Sequence, residues 1–454
     1  MTKKNDTVMS ALGIAAILAL STGACDSYGH SETAEAEAEV LVRAAQESND
    51  LQQAPWAERG RLVAYKLVRT LSRSDVREAL FERPFVDAYA GFGLEDFFDF
   101  FSAGEINEVT RFRVDVFQVI YETIDPWGQP TVASGAVLMP RGEGGPKEDS
   151  ALWCLLRGTV FYDADVPSYG DMPDWGIWRG LLPASAGYVT AMPDYLGFGA
   201  SRHMVHPYLV SEPTATASID MMRATRRLAA QLDVPLRDEV FLSGHSQGGH
   251  AALATQREIE AHHDEEFELS AVAPASGPYA ISGTLSFLLG SEAMLAPQVT
   301  SLYTLSLMGV YDLGQPSSYY FRPPYDEVVL ELHDKTKDNA QIIAGLPSQT
   351  TDELFSDEFL ADFRGDGALD FKAAMALNDL HTGWAPRAPI RLFHGSEDAV
   401  VVPLQGELAL AGLAGEGADI GLEIIDGADH LQTIVPSTLR TIELFDGLLA
   451  EESE

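Results

Sequence analysis

Basic residues are scarce in this sequence, which has 30 Lys and Arg against 68 Asp and Glu in 454 residues and a formal net charge of −38. A chain without a basic stripe cannot neutralise the phosphates of DNA or RNA, so the composition excludes nucleic-acid binding. It also excludes electrostatic attachment to anionic lipid surfaces. The acidity indicates a soluble, strongly hydrated surface.

Cysteine is even scarcer, because Cys25 and Cys154 are the only two in the chain. An intramolecular disulfide would have to join these two residues. Cys154 lies in the apolar run ALWCLL, which predicts a buried small hydrophobic side chain rather than a reactive thiol. His262 and His263 precede three acidic residues, a pattern typical of a solvated helix end. We therefore predict no metal site and no cofactor.

Long apolar runs are absent beyond the N-terminus, where ALGIAAILAL follows Lys3 and Lys4 and small residues precede Cys25. This run is too short to span a bilayer and is typical of a signal peptide. A cysteine directly after it resembles a bacterial lipoprotein signal, although Thr22 stands where leucine is usual. We predict a signal peptide over residues 1–24, lipidation of Cys25 and a disordered acidic tether over 25–45. The protein is then exported and lipid-anchored to a bacterial membrane, periplasmic or surface-facing; ordinary secretion is the alternative.

The rest of the chain divides into a helix-compatible segment, a core in two parts and an insertion. Residues 46–110 are compatible with helix, and 111–122 and 133–139, joined by the turn DPWG, predict a β-hairpin. Short apolar strands then alternate with helices, which predicts a mostly parallel central sheet flanked by helices. The predicted strands are 151–156, 188–192, 239–242, 269–273, 390–393 and 422–425, and the predicted helices are 214–230, 247–262 and 433–449.

One long interval has no clear strand and is rich in Leu, Phe, Met and Tyr. It predicts a helical cap or lid domain over residues 279–385, whose apolar residues mostly form the cap's own core. The sheet domain is accordingly predicted in two parts, 111–278 and 386–454.

The turn between the predicted strand 239–242 and the helix that follows it has the sequence GHSQGG, from Gly244 to Gly249. Strand, tight glycine-flanked turn with a central serine, then helix is the context of the G-x-S-x-G nucleophile elbow. A side chain at Gly244 or Gly248 would collide where the strand and helix backbones approach. The pattern predicts that Ser246 is a nucleophile.

A serine hydroxyl needs a general base, and the base needs an acid that orients it. In enzymes with a G-x-S-x-G nucleophile elbow, the nucleophile, the acid and the base follow along the chain in the order serine, acid, histidine. The turn HGSED follows a predicted strand and offers Asp398, which we favour over Glu397; Asp426 and Asp429 are weaker candidates because they crowd the histidine in sequence. The only histidine after that turn is His430, in the loop beyond the next strand. Ser246, Asp398 and His430 are therefore the predicted triad.

The developing oxyanion of such a reaction needs hydrogen-bond donors. One predicted donor is the backbone N–H of Gln247, directly after the nucleophile. The second is expected in the loop Arg157-Gly158-Thr159 after the strand 151–156. No glycine run of the HGGG type is present there, which leaves Thr159 or its neighbour Gly158 as the donor.

The stretch GYVTAMPDYLGFG, residues 187–199, resembles the GY-x-V-x-x-PDY-x-G-x-G signature of the secretory lipase family and its bacterial relatives. HPY at 206–208, ASIDM at 217–221 and PRAPIRLFHG at 386–395 resemble further segments of the bacterial branch. The resemblance implies an α/β-hydrolase fold with a helical cap, hydrolysis of carboxylic esters, the same triad and an oxyanion donor near Gly158 and Thr159. Arg157 departs from the family, whose members often carry histidine or tyrosine there, and the disulfides of the fungal members are missing.

The sequence thus predicts a serine esterase or lipase of lipid catabolism that acts through an acyl-enzyme on a small-molecule ester or lipid. It indicates no obligate protein partner, and membrane contact only through the N-terminal anchor. A serine aminopeptidase and an acyltransferase on the same fold remain open. A non-catalytic binding protein is less favoured, because such proteins usually lose a member of the triad.

Overall fold

The computed structural model of the protein describes residues 59–81, 100–143, 149–169, 175–290, 296–347 and 350–451. The predicted signal peptide, Cys25 and the acidic tether lie outside the described residues, so these predictions stay untested. Within the described ranges, no helix has the length and apolarity needed to cross a membrane.

A single sheet organises the described part of the chain. Its strands are β1 (Leu62–Leu71), β2 (Arg113–Ile124), β3 (Pro130–Arg141), β4 (Ser150–Leu156), β5 (Val189–Pro193), β6 (Leu236–His245), β7 (Glu268–Ala275), β8 (Ile390–Gly395) and β9 (Ile420–Ile425). They pair in the order β1-β2-β3-β5-β4-β6-β7-β8-β9. β1, β2 and β3 are antiparallel to their neighbours, and the pairs from β5 to β9 are parallel. The mostly parallel sheet that the sequence predicted is confirmed.

Helices cover both faces of this sheet. In chain order they are α1 (Arg73–Phe81), α2 (Ala103–Val109), α3 (Trp175–Ala186), α4 (Ser211–Gln231), α5 (Gln247–His262), α6 (Ile281–Gly290), α7 (Pro297–Tyr311), α8 (Ser317–Tyr320), α9 (Tyr325–Leu332), α10 (Asn339–Gly345), α11 (Thr351–Leu354), α12 (Asp357–Arg364), α13 (Leu369–Ala376), α14 (Leu404–Gly415) and α15 (Ile434–Glu451). One face packs against α4, α5 and α14, and the other against α1, α2, α3 and α15.

Strand β4 shows why the core strands are apolar throughout. Leu152, Cys154 and Leu156 belong to the hydrophobic cluster on one face, and Trp153 and Leu155 belong to the cluster on the other. Successive side chains of a strand point to opposite faces, so a strand covered on both sides needs an unbroken apolar run. Cys154 is a buried free thiol within this run, as the sequence predicted.

The insertion after β7 is helical, as expected, and consists of α6 to α13. It has its own hydrophobic core, which includes the aromatic side chains of Tyr320, Phe321, Phe355, Phe359 and Phe371. The same cluster extends to residues of the sheet domain at 208–210, so the cap packs directly on that loop.

The helical prediction for residues 46–110 was wrong at β1. This segment, LVAYKLVRTL, pairs with β2 along its length and leaves Tyr65 and Leu67 exposed. Its short apolar pattern fits a helix or a strand, and only the partner strand decided between them. α3 and α14 were not predicted; α3 contains Pro183, and both helices contain glycines that weaken the helical pattern.

Candidate active site

The predicted site residues lie at the carboxyl ends of four strands. Gly158 and Thr159 follow β4, Ser246 follows β6, Asp398 follows β8 and His430 follows β9. The parallel register keeps these ends level, because Leu156 pairs with Gly244 and Gly395 with Ile425. Ligands of open α/β sheets bind at this edge.

A cavity of about 720 Å³ opens at this edge, between the sheet domain and the cap. Ser246, His430, Gly158, Thr159 and Gln247 all line it. The structure thus brings the predicted nucleophile, base and oxyanion donors to one cavity.

Ser246 sits in a strained turn. Its φ of 60° and ψ of −122° are unusual for a residue with a side chain, and its N–H donates to Ala275 O at 2.9 Å. A Cβ at Gly244 would lie 2.2 Å from the carbonyl oxygen of Gly248, and one at Gly248 would lie 2.0 Å from that of Leu156. Both glycines are therefore required for the strand and helix to meet here, as the sequence predicted.

Asp398 and His430 form a buried pair. His430 Nδ1 lies 2.7 Å from Asp398 Oδ2, and Asp398 Oδ1 accepts the N–H groups of Val400 at 3.0 Å and Val401 at 2.8 Å. Burial alone would raise the pKa of Asp398, but the charge of His430 and the hydrogen bonds from His394 and His430 hold it well below its ordinary value. Because an ionised carboxylate only accepts, His430 donates from Nδ1, and in the neutral imidazole Nε2 keeps its lone pair.

The other acids that the sequence left open lie elsewhere. Glu397 and Asp426 are exposed, and Asp429 accepts the N–H groups of Leu431 and Gln432. Only Asp398, of these acids, has a hydrogen bond to the imidazole of His430 among the described contacts.

Two further histidines support this pair. His245 donates from Nε2 to the backbone oxygen of His430 at 2.7 Å, and the two rings lie 4.6 Å apart. Burial lowers the pKa of His245 well below its ordinary value, so the ring is neutral. His394 donates from Nε2 to Val401 O at 2.6 Å and lies 3.5 Å from Asp398 Oδ2. The sequence alone assigned neither of these two histidines a catalytic role.

The predicted oxyanion donors border Ser246. Gln247 is the first residue of α5, and the N–H groups of a first helical turn have no acceptor within the helix. A Cβ at Gly158 would lie 4.0 Å from Ser246 Cβ. Thr159 Oγ1 is hydrogen-bonded to Tyr208 Oη at 2.8 Å. Gly158 and Thr159 both line the cavity, so either remains a candidate for the second donor.

Arg157, which the sequence flagged only as a departure from relatives, is buried beside this loop. Its Nε and Nη2 donate to Asp194 O at 3.0 and 2.5 Å, and its Nη1 donates to Gly158 O at 2.9 Å. The guanidinium stacks on the rings of Tyr195 and Phe198, at 4.6 and 4.8 Å. Burial lowers its pKa to about 10, so it stays charged at neutral pH. Arg157 therefore holds in place the loop that is predicted to supply the second donor.

The rest of the cavity wall is largely apolar. The cap contributes Ile281, Leu285, Phe287, Leu288 and Val299, and the sheet domain contributes Val402, Leu404, Leu408, Leu431 and Ile434. Among the residues that the structure describes, no group of three His, Cys, Asp or Glu side chains is arranged to hold a metal ion.

No protein-family model matches the chain, and no curated protein matches its sequence. Solved structures do match. The rice cell wall degrading esterase LipA from Xanthomonas oryzae is 28% identical, with a TM-score of 0.69, over 87% of this chain and 99% of that one. A putative hydrolase from Legionella pneumophila is 26% identical, with a TM-score of 0.71, over 85% and 98%.

Candida antarctica lipase A in its closed state is 17% identical, with a TM-score of 0.62, over 88% of this chain and 84% of that one. At that identity the likeness concerns the fold. The predicted resemblance and fold are confirmed, whereas the lipoprotein branch stays a prediction. The chain has the α/β-hydrolase fold with a helical cap, and the solved structures that it resembles include an esterase, a lipase and a putative hydrolase.

Proposed function

We propose that this protein is a serine carboxylic-ester hydrolase, an esterase or lipase that acts through an acyl-enzyme at Ser246. The observation that carries the proposal is the buried 2.7 Å hydrogen bond between Asp398 and His430, at the cavity where Ser246 occupies a strained elbow. An acid, a base and a nucleophile that follow three strands of one sheet are the parts that acyl transfer needs.

In the proposed reaction, His430 Nε2 takes the hydroxyl proton as Ser246 Oγ forms a bond to the ester carbonyl carbon. The N–H groups of Gln247 and of Gly158 or Thr159 stabilise the oxyanion, an effect worth about 10²- to 10³-fold in rate per donor. The C–O bond then breaks, and the alcohol leaves with the proton from His430. Water attacks the acyl-enzyme by the same base catalysis and releases the acid. Asp398 holds the proton on Nδ1 and stabilises the imidazolium.

The lining of the cavity favours a neutral ester substrate with an apolar part, such as an acylglycerol. Its walls carry mostly hydrocarbon side chains from the cap and the sheet domain, which favour burial of an acyl chain. The net charge of −38 also disfavours anionic substrates. We therefore place the activity in lipid breakdown.

A serine aminopeptidase is the first alternative. Such an enzyme needs carboxylates to bind the substrate ammonium group, and among the described residues that line the cavity Asp165 is the one acidic residue. This observation favours ester substrates over peptides with a free N-terminal ammonium group. An acyltransferase would use the same acyl-enzyme and differ only in the acceptor, which product analysis with added alcohols distinguishes.

The test is turnover of a p-nitrophenyl ester series of increasing chain length by the purified protein and by Ser246→Ala, beside a panel of aminoacyl amides. We expect ester hydrolysis that Ser246→Ala abolishes. Equal rates in both proteins would refute the assignment of Ser246, and faster cleavage of amides than of esters would support the aminopeptidase.

We also propose that the protein is exported and lipid-anchored through Cys25, since the apolar segment and the small residues before Cys25 resemble a lipoprotein signal. Mass spectrometry of the mature N-terminus after bacterial expression tests this proposal. An acylated Cys25 that is missing in Cys25→Ser is the expected result, and an unmodified N-terminus at another residue would indicate ordinary secretion.

A further inference from the structure

A buried polar network links the cap to Gln247, which follows Ser246, and to the loop that contains Thr159. His206 is at the centre of this network. His206 Nδ1 lies 2.7 Å from Leu196 O, and His206 Nε2 lies 2.9 Å from Gln247 Nε2. A carbonyl oxygen only accepts, so Nδ1 carries the proton and Nε2 accepts from the Gln247 amide. Burial lowers the pKa of His206 well below its ordinary value, which keeps this neutral arrangement at neutral pH.

This contact restrains the residue that carries the first predicted oxyanion donor. Gln247 is buried, and its side chain reaches from the start of α5 to the His206 ring. The loop comes this close because residue 197 is glycine; a Cβ there would lie 2.4 Å from His206 Cα. Holding the Gln247 side chain limits the movement of the peptide that joins it to Ser246.

Tyr208 connects the same loop to the second predicted donor. Its Oη is hydrogen-bonded to Thr159 Oγ1 at 2.8 Å. Two residues of one short loop, His206 and Tyr208, therefore contact both segments that supply N–H groups to the oxyanion.

The cap holds this loop through Ser306 of α7, which is fully buried. Ser306 Oγ accepts the N–H of Tyr208 at 3.0 Å. It lies 2.8 Å from both His206 O and Leu302 O, so its one proton is shared between the two carbonyls. One cap hydroxyl thus fixes the backbone on both sides of Pro207.

We propose that His206, Tyr208 and Ser306 are positioning residues through which the docked cap sets the geometry of the oxyanion donors; the inference rests on the proposed function. Oxyanion stabilisation depends on donors held 2.7–3.1 Å from the charge that develops in the transition state, as a general rule. Loosening the network therefore lowers kcat more than it weakens substrate binding. The cap then has a role in catalysis beyond covering the cavity.

The experiment compares Ser306→Ala and His206→Phe with Ser301→Ala as the matched control. Ser301 is an equally buried hydroxyl of α7, but it bonds His333 within the cap at 2.8 Å. Phenylalanine keeps the ring packing of His206 but removes both its acceptor for Gln247 and its donor to Leu196 O. The readouts are kcat and KM for a p-nitrophenyl ester and the rate at which a fluorophosphonate labels Ser246. In that labelling a Ser–O–P bond forms, fluoride leaves and the phosphoryl oxygen takes the oxyanion position.

We expect Ser306→Ala and His206→Phe to lower kcat and the labelling rate about tenfold or more, with KM changed less than about twofold. Ser301→Ala should match the wild type. His206→Gln, which can still accept from Gln247, should recover part of the loss. In a Gln247→Met background, His206→Phe should add less than about a twofold effect, because the two residues act through one contact.

The inference would be overturned by wild-type rates in both test variants, by a loss confined to KM, or by an equal loss in Ser301→Ala. The labelling rate separates this inference from the proposed function. A wild-type protein that is labelled at Ser246 but cleaves no ester would refute the ester substrate while the variants still test the network. A wild-type protein that the probe does not label would refute both.

Discussion

Replacing Asp398 with asparagine tests the hydrogen bond at the centre of the site. One carboxylate oxygen faces His430 Nδ1 at 2.7 Å, and the other accepts the N–H groups of Val400 and Val401. The amide oxygen of asparagine can replace the second of these, but its NH₂ group then faces Nδ1. His430 would have to carry its proton on Nε2, where it can no longer accept the proton of Ser246.

We expect Asp398→Asn to lower kcat by about 10⁴-fold, the effect of the wrong histidine tautomer in a serine triad. This loss corresponds to about 5.5 kcal/mol of transition-state stabilisation. KM should change less than about threefold, because Asp398 does not line the cavity. The assay is kcat and KM for a p-nitrophenyl ester, with thermal unfolding measured in parallel to confirm that the variant folds.

Glu397→Gln is the matched control, because Glu397 is the exposed neighbour of Asp398 in the same turn. It removes the same charge one residue away and should leave kcat within about twofold. A folded Asp398→Asn variant that loses less than about tenfold in kcat would refute the assigned roles. An equal loss in both variants would attribute the effect to the local charge rather than to the His430 contact.

Three further perturbations have expected outcomes. Gly248→Ala should lower the free energy of unfolding by about 3 kcal/mol, because its Cβ would lie 2.0 Å from Leu156 O. Gly283→Ala, with open space around its Cβ, should instead stabilise α6 by up to about 1 kcal/mol. Urea unfolding measures both changes in free energy, and equal changes in the two variants would contradict this reasoning. Burial raises the pKa of Asp194 from 3.8 to about 6, despite the hydrogen bonds from Ser134 and Ser168. Between pH 4 and 6 the folded state binds a proton that the unfolded state has lost. The Asp194 carboxyl therefore contributes about 3 kcal/mol of stability below pH 4, and this contribution is lost as the pH rises through 6. Asp194→Asn should remove this dependence of the free energy of unfolding on pH, measured by urea unfolding between pH 4 and 6, and an unchanged pH dependence would contradict the assignment. Phe287 lines the cavity, is 71% exposed and should contact long acyl chains. Phe287→Ala should therefore raise KM about fivefold for long-chain p-nitrophenyl esters and leave KM for the acetate ester unchanged. An equal rise in KM for both esters would exclude this contact.

The sequence alone was sufficient to predict Ser246 as the nucleophile, because the requirements of the elbow are local. A serine turn between a strand and a helix needs glycine wherever the backbones meet, and Gly244 and Gly248 are both within two residues of Ser246. His430 could be predicted for a different reason, since chain order left a single histidine after the turn that contains Asp398. The alternation of apolar strands and helices likewise predicted the parallel sheet.

The choice between Asp398 and Glu397 depended on the tertiary structure. The two residues are adjacent, and only the direction of the turn brings one carboxylate to His430 and exposes the other. Strand β1 was also decided by its partner β2, because its own short pattern fits either a helix or a strand.

The network that includes His206 and Ser306 lies furthest beyond the reach of the sequence. These residues are 100 positions apart, and their contact exists only because the cap folds back onto the sheet domain. Local backbone preferences and steric limits depend on neighbouring residues, so a single sequence determined the elbow, the chain order of the proposed triad and the class of fold. Hydrogen bonds between distant segments depend on how those segments pack. For this reason only the tertiary structure showed which acid contacts His430 and how the cap contacts the loops beside Ser246.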